Sequence, residues 1–124
     1  MADLFETFRG GANKPASTRL YASINPRKRI GLNRQVIEFL GRPQAVVLQF
    51  NKERSIIAIA PVKPDHADAF PVQYSRDGHI TINAAPFIRH FGISVRVTER
   101  FTDVKLTHDG KVYLDLTTTV RSAR

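Results

Sequence analysis

The stretch Ile30-Gly31-Leu32-Asn33 reappears later in the chain as Ile80-Thr81-Ile82-Asn83. Each copy is followed by a short amphipathic segment that ends in glycine, at Gly41 and at Gly92, and then by two apolar runs with a polar break between them. A repeat of this size indicates that each half of the chain is one supersecondary unit. Such a unit cannot bury its apolar face alone, and it therefore packs against its twin.

The first copy predicts two strands, a helix and a hairpin. Asn25 and Pro26 favour a turn between the strands, and Asn33 suits the N-cap of the helix because its side chain can accept an orphan N–H of the first turn. Gly41 stands where a left-handed C-cap is needed, and Pro43 prevents the helix from continuing. The predicted elements are strands at residues 20–24 and 29–32, a helix at 34–40, and a hairpin of 45–50 with 55–60.

The second copy repeats this order of elements. Asp77-Gly78 is typical of a tight turn, Asn83 is the expected helix cap, and Pro86 falls within the first helical turn, where its missing N–H does little harm. The predicted elements are strands at residues 72–74, 79–82 and 93–97, a helix that ends at Gly92, and a hairpin of 104–106 with 112–116.

Two such units predict a mainly β fold with short helices. We expect one closed barrel with a pseudo-two-fold axis and a short helix from each half, because closure removes exposed sheet edges. The expected organisation is a flexible basic arm at residues 1–19, a first repeat at 20–62, a linker at 63–71, a second repeat at 72–118 and a polar tail at 119–124.

Composition limits the class of protein. The chain has 124 residues, the size of one domain, and 42% of them are apolar, as in globular proteins. It contains no cysteine, so disulfides, cysteine-based zinc sites and a thiol nucleophile are excluded. The sequence does not open on a signal peptide, and no apolar run approaches the roughly 20 residues of a membrane helix. We therefore expect a cytoplasmic protein with no membrane partner.

The charge of the chain is strongly positive and unevenly placed. The formal net charge is +8 at pH 7. Residues 7–37 contain seven basic side chains and no acidic one, whereas residues 63–124 contain nine basic and seven acidic ones. A one-sided basic field favours a polyanion, most often nucleic acid, since phosphate contacts supply most non-specific affinity. The alternative is a solvated basic surface that only aids solubility.

The sequence offers no catalytic or metal-binding pattern. The four histidines are scattered, and none has the i, i+4 partner or the spacing of a zinc ligand set. A Gly-rich phosphate loop, a nucleophile elbow and a pair of catalytic carboxylates are also absent from the sequence. We predict a protein that is not an enzyme, with no cofactor and no bound metal.

The order of elements resembles that of the AbrB/MraZ superfamily of swapped-hairpin transcription factors, in two tandem copies. The residues that carry the resemblance are Arg29-Ile30-Gly31-Leu32-Asn33 at the strand and helix entry, Val36, Leu40 and Gly41 on the short helix, the hairpin of residues 46–50 with 56–59, and, in the second unit, Gly78-His79-Ile80-Thr81-Ile82 and Phe91-Gly92. The resemblance implies a pseudo-two-fold barrel in which hairpins are exchanged between the units.

The resemblance also implies DNA binding, because members of the superfamily bind DNA mainly through arginines at the strand turn and on the short helix. Arg29 corresponds to the arginine of the turn, and Arg89 falls near a helix arginine. The sharpest basic cluster consists of Arg27, Lys28, Arg29 and Arg34, which could contact successive phosphates or fork onto a guanine edge. The candidate nucleic-acid-binding residues are Arg19, Arg27, Lys28, Arg29, Arg34 and Arg89.

These features predict a prokaryotic or mobile-element protein that binds double-stranded DNA, either as a transcriptional regulator or as an architectural factor. A homodimer or a higher ring would multiply a weak phosphate-binding face by avidity. Two alternatives stay open. The same barrel could be an assembly module whose basic face meets an acidic protein partner, or it could bind RNA or another single-stranded nucleic acid.

Overall fold

The structure is a computed structural model, and it describes residues 20–121. These residues form one ten-stranded sheet and a few short helices. The strands are β1 (Ala22–Ile24), β2 (Arg29–Leu32), β3 (Ala45–Asn51), β4 (Ile56–Val62), β5 (Phe70–Tyr74), β6 (Ile80–Asn83), β7 (Glu99–Phe101), β8 (Val104–Leu106), β9 (Val112–Asp115) and β10 (Thr119–Arg121). The α-helices are α1 (Arg34–Phe39) and α2 (Ala85–His90), and a 3-10 helix covers Leu116–Thr118.

The sheet runs in the order β10-β7-β1-β2-β6-β5-β3-β4-β9-β8 and curls into a half-barrel. Its strand pairs are antiparallel. Within residues 20–121 no pairing joins β10 to β8, so these two strands are the edges of the sheet. The prediction of a mainly β fold with short helices is confirmed, whereas the described sheet is open along one side and is not the closed barrel that was expected.

Two segments differ from the sequence prediction. The alternation of apolar and polar side chains in residues 93–97 predicts a strand, but these residues are coil and β7 begins only at Glu99. Ile93 and Val95 pack against the core, so the alternation reflects one-sided burial without strand pairing. The residues expected as a polar tail also include a strand, because Thr119 pairs with Phe101 to start β10. The other predicted elements lie close to the observed bounds.

The two helices begin differently, although each follows an equivalent asparagine. In α1, Asn33 is the N-cap, and its Oδ1 accepts a hydrogen bond from the N–H of Val36 at 3.2 Å. In α2 the N-cap is Ala84, so the prediction of Asn83 as the cap is wrong. The N–H of Ala84 donates instead to the carbonyl of Lys28 at 2.9 Å. The start of α2 is therefore held by the turn between β1 and β2.

Alternate residues of the central strands point into one apolar core. Ile24 on β1, Ile30 on β2 and Ile82 on β6 are almost fully buried, together with Ile37 of α1 and Ile88 of α2. A side chain of this size contributes about 1.5–3 kcal/mol when it is fully buried. No polar or charged residue in the described range 20–121 is buried.

The opposite face of the four central strands is polar. Gly31 of β2 lies opposite Thr81 of β6, Ser23 of β1 lies opposite Gly31, and Gln73 of β5 lies opposite Thr81. Because side chains alternate along a strand, these four residues form a row on the side away from the core. We call this row the outer polar face. A methyl group at Gly31 would lie only 3.0 Å from the Ser23 Oγ, so the row is closely packed at its centre.

The strands that follow the helices pair outside their own half of the chain. β3 follows α1 and pairs with β5, through Ala45 opposite Pro71. β7 follows α2 and pairs with β1, through Glu99 opposite Ile24. β4 pairs with β9 in the same way. The two halves of the chain therefore contribute alternately to one sheet.

Candidate nucleic-acid interface

Three of the predicted DNA-binding residues lie together on the turn between β1 and β2. We call residues 25–29 the basic turn. Asn25 organises it, because its carbonyl accepts the N–H of Lys28 at 2.9 Å and its Oδ1 accepts the N–H of Arg29 at 3.1 Å. Lys28 closes the turn with a left-handed φ of 65°. Arg27 and Arg29 are exposed and Lys28 is half-exposed, so the positive charges of this turn face solvent.

Among residues 20–121, no acidic side chain forms an ion pair with the basic turn. The ion pairs within residues 20–121 join Arg34 to Glu38, His79 to Asp77 and Lys105 to Asp103. None of them involves the basic turn, and the hydrogen bond from Ala84 to Lys28 fixes the turn against α2. Three adjacent positive charges on an anchored turn form a surface that attracts anions.

Arg34 lies at the opposite end of β2 from the basic turn. It is the first residue of α1, and β2, with its four residues, is about 13 Å long. Its Nε donates to the Glu38 Oε2 at 2.8 Å, and this hydrogen bond raises the pKa of Arg34. The structure thus separates Arg34 from the three basic residues with which the sequence groups it.

A second arginine, which sequence reasoning missed, lies beside Arg34. The Cζ of Arg42 is 5.1 Å from the centroid of the Tyr74 ring, within the range of a cation–π contact. The Tyr74 hydroxyl donates to the carbonyl of Pro43 at 2.6 Å. Partial burial raises the pKa of this hydroxyl, and the charge of Arg42 opposes the rise. A small cavity, which we call the arginine pocket, is lined by Arg34, Arg42, Tyr74, Ser75, Gly78 and Ile80.

The turn between β5 and β6, residues 75–79, differs in charge from the basic turn. The Ser75 hydroxyl donates to the Asp77 carboxylate, and this hydrogen bond is the largest cause that lowers the pKa of Asp77. The Nε2 of His79 lies 3.6 Å from the same carboxylate. Arg76 is exposed on the turn. This second turn therefore combines a positive and a negative side chain, whereas the basic turn has only positive ones.

The remaining predicted site residues lie apart from these turns or outside the described residues. Arg89 is exposed in the last turn of α2, the helix whose start is held by the basic turn. The five residue steps from Ala84 to Arg89 rise by about 7.5 Å along the helix axis. Arg19 lies outside the described residues. The structure thus brings Arg27, Lys28 and Arg29 together and places Arg34 in a second group with Arg42.

The outer polar face runs across β1, β2, β6 and β5. Along β2 it lies between the basic turn, which precedes the strand, and Arg34, which follows it. The Thr81 Oγ1 donates to the Gln73 Oε1 at 3.3 Å, and both side chains reach solvent. Polar groups between two positive ends are suited to a polyanion that contacts both ends of β2.

Within residues 20–121, no three or more histidine, aspartate and glutamate side chains are placed to hold a metal ion together. None of the helices in this part of the chain is long and apolar enough to cross a membrane.

Comparison of the chain with protein-family models, with curated proteins and with solved structures gives no significant match. A function must therefore be argued from the fold and from the geometry of the described residues.

Proposed function

We propose that the chain is a DNA-binding protein without enzymatic activity, and that it contacts duplex DNA through the basic turn. The observation that carries this proposal is the turn itself: Arg27, Lys28 and Arg29 are adjacent, anchored to α2 and without an acidic partner among the described residues. Basic side chains that neutralise phosphates release condensed counterions, which supplies much of the affinity for a duplex. A transcriptional regulator or an architectural factor would use such a surface.

The same proposal treats the halves of the chain as two AbrB/MraZ-like repeats around a pseudo-two-fold axis. The register between β2 and β6 supports it, because Ile30 lies opposite Ile82 and Leu32 lies opposite Ile80. The repeated motif therefore pairs with its own copy about a common centre. The pairings of β3 with β5 and of β7 with β1 are those that an exchange of strands between the repeats would produce.

The length of the central strands suggests how a duplex would lie. β2 is about 13 Å long, and the major groove of B-DNA is about 12 Å wide. With the basic turn on one phosphate backbone, the opposite end of β2, where α1 begins at Arg34, would lie near the other backbone. The outer polar face would then meet the base edges, and Gly31 at its centre adds no side chain that would hold the sheet away.

A salt titration with random-sequence duplex DNA tests this function. The double substitution Arg27→Ala with Arg29→Ala should weaken binding, and the slope of log K against log salt should become shallower by about 0.9 for each phosphate that the variant no longer neutralises. The matched control is Lys52→Ala with Arg54→Ala, which removes two exposed charges from the β3–β4 turn and should leave the slope nearly unchanged. If DNA binding weakens equally in both variants, the loss is explained by the lower net charge of the protein, and the basic turn is excluded from the interface.

The second candidate is a module that binds another protein, and the edges of the sheet favour it. Leu106 on β8 and Val120 on β10 are 37% and 41% exposed, and edge strands carry backbone groups that can pair with another chain. A protein that binds no duplex at low salt, and whose solution mass exceeds that of one chain, would support this candidate over DNA binding.

A further inference from the structure

We propose that the arginine pocket is a binding site for a single phosphate group. Of the residues that line it, only Arg34 is expected from the sequence to contact DNA. Arg42 lines the same pocket because the pairing of β3 with β5 brings it to Tyr74. The ligand is either a diester phosphate of the duplex or a free phosphate. In the first case the inference rests on the proposed DNA-binding function, and in the second case it does not.

The guanidinium of Arg42 is held in place before any ligand arrives. Gly41 and Arg42 both have left-handed backbone conformations, with φ of 84° and 51°, and Pro43 follows them. The guanidinium lies over the Tyr74 ring, and the Tyr74 hydroxyl is fixed by its hydrogen bond to Pro43. A planar guanidinium that is already oriented loses less conformational entropy when it binds an oxyanion.

Arg34 adds a second positive charge to the same pocket. Among residues 20–121, the hydrogen bond from Arg34 to Glu38 uses its Nε. A guanidinium has five N–H donors, so the terminal nitrogens of Arg34 can donate to a ligand. Neither Glu38 nor Asp77 lines the cavity. Arg42 belongs to none of the ion pairs within residues 20–121. The pocket is therefore lined by two arginines and by no carboxylate residue.

The size of the pocket fits one phosphate group. Its volume is about 130 Å³, roughly four times the volume that one water molecule takes in the liquid. A tetrahedral oxyanion with four oxygens is of this size, whereas a drug-sized ligand needs a pocket of about 300 Å³ or more. Gly78 also lines the pocket, and a Cβ added there would meet nothing within 4 Å, so the backbone at this residue is not crowded by other atoms.

Titration of the full chain with inorganic phosphate, followed by NMR, tests the site directly. The amide resonances of Ser75 and Gly78 and the ring resonances of Tyr74 should shift and saturate. Arg42→Gln and Arg34→Gln should each weaken this binding about tenfold, as expected when a hydrogen bond to a charged ligand is removed. Arg54→Gln is the matched control, because it removes one exposed charge at the far end of β3, about 20 Å from Arg42, and should change nothing.

Duplex binding by the same variants identifies the source of the phosphate. If Arg42→Gln weakens both phosphate and duplex binding, the pocket takes a backbone phosphate of DNA. If it weakens only phosphate binding, the pocket takes a free phosphate group. Absence of saturable shifts at Ser75, Gly78 and Tyr74 would overturn the proposal, even if the basic-turn variants confirm DNA binding. Saturable shifts in a chain that binds no duplex would support the pocket and reject the proposed function.

Discussion

At the scale of single residues, the two asparagines of the repeated motif have different structural roles because their surroundings differ. Asn33 and Asn83 follow the same apolar pattern, but only Asn33 caps a helix. In the second copy α2 starts after Ala84, whose N–H is satisfied by Lys28 of a distant turn. Within the part of the chain that the structure describes, the side chain of Asn83 accepts one long hydrogen bond, of 3.4 Å, from the N–H of Ala85.

The helix caps give a prediction at this scale. Asn33→Ala should lower the free energy of unfolding by about 1 kcal/mol, because an N–H of α1 loses its acceptor. Asn83→Ala is the matched control and should cost clearly less, since its side chain makes only the long bond. Urea unfolding of the two variants beside the unchanged chain measures the difference. Equal destabilisation would mean that Asn83 contributes as much as a true cap.

At the scale of elements, an aromatic cluster joins α2 to the first half of the chain. Phe50 of β3 lies 6.2 Å from Phe87 and 5.1 Å from Phe91, measured between ring centroids, and the rings of Phe87 and Phe91 are 5.2 Å apart. Such edge-on and tilted contacts are favourable beyond the apolar area that they bury. The hairpin of β3 and β4 therefore packs, through Phe50, against α2, which belongs to the other half of the chain.

Substitution within this cluster gives the second prediction. Phe87 is 6% exposed, and Phe87→Ala should lower the free energy of unfolding by about 3–5 kcal/mol through the cavity that it leaves. Phe39 of α1 is 37% exposed, and Phe39→Ala should change stability by no more than about 0.5 kcal/mol. Denaturant midpoints of both variants give the comparison. A similar cost at the two positions would contradict the assignment of Phe87 to the core.

Elements that depend on local signals could be predicted from the sequence, and those that depend on distant partners could not. The Asn33 cap and the left-handed Gly41 follow from neighbouring residues. Residues 93–97 alternate between apolar and polar side chains as a strand would, but no strand of residues 20–121 pairs with them, and the packing of Ile93 and Val95 against the core produces the pattern. Arg42 meets Tyr74 only because β3 pairs with β5. The basic turn was recognisable as a run of charges, whereas the arginine pocket required the fold.

At the scale of the whole molecule, neither half has a complete sheet of its own. Among the described strands, β2 pairs with β6, β3 with β5, β4 with β9 and β7 with β1, and each of these pairings joins the two halves. The connector around residues 63–68 is exposed and runs over the surface. The apolar face of each half is covered by the other, which makes the sheet one cooperative unit.

Division of the chain within the connector gives the last prediction. Fragments of residues 1–65 and 66–124 should each be largely unfolded alone, because each exposes the apolar face that its partner covers. Mixed in equal amounts, they should regain the β-sheet signal in circular dichroism and unfold together. The uncut chain is the control. A fragment that unfolds cooperatively by itself would show that its half forms a domain without the other.

The central seam between β2 and β6 has a further consequence. Its backbone register is self-complementary, but its outward side chains are not, since Gly31 faces Thr81 and Arg29 faces Asn83. Two identical chains would have to present matching surfaces on both sides of such a seam. A single chain that contains both copies is free of that requirement, and each copy can change alone. The surface that results has a direction, and a nucleic acid bound along it would be recognised as a non-palindromic sequence, read from one end to the other.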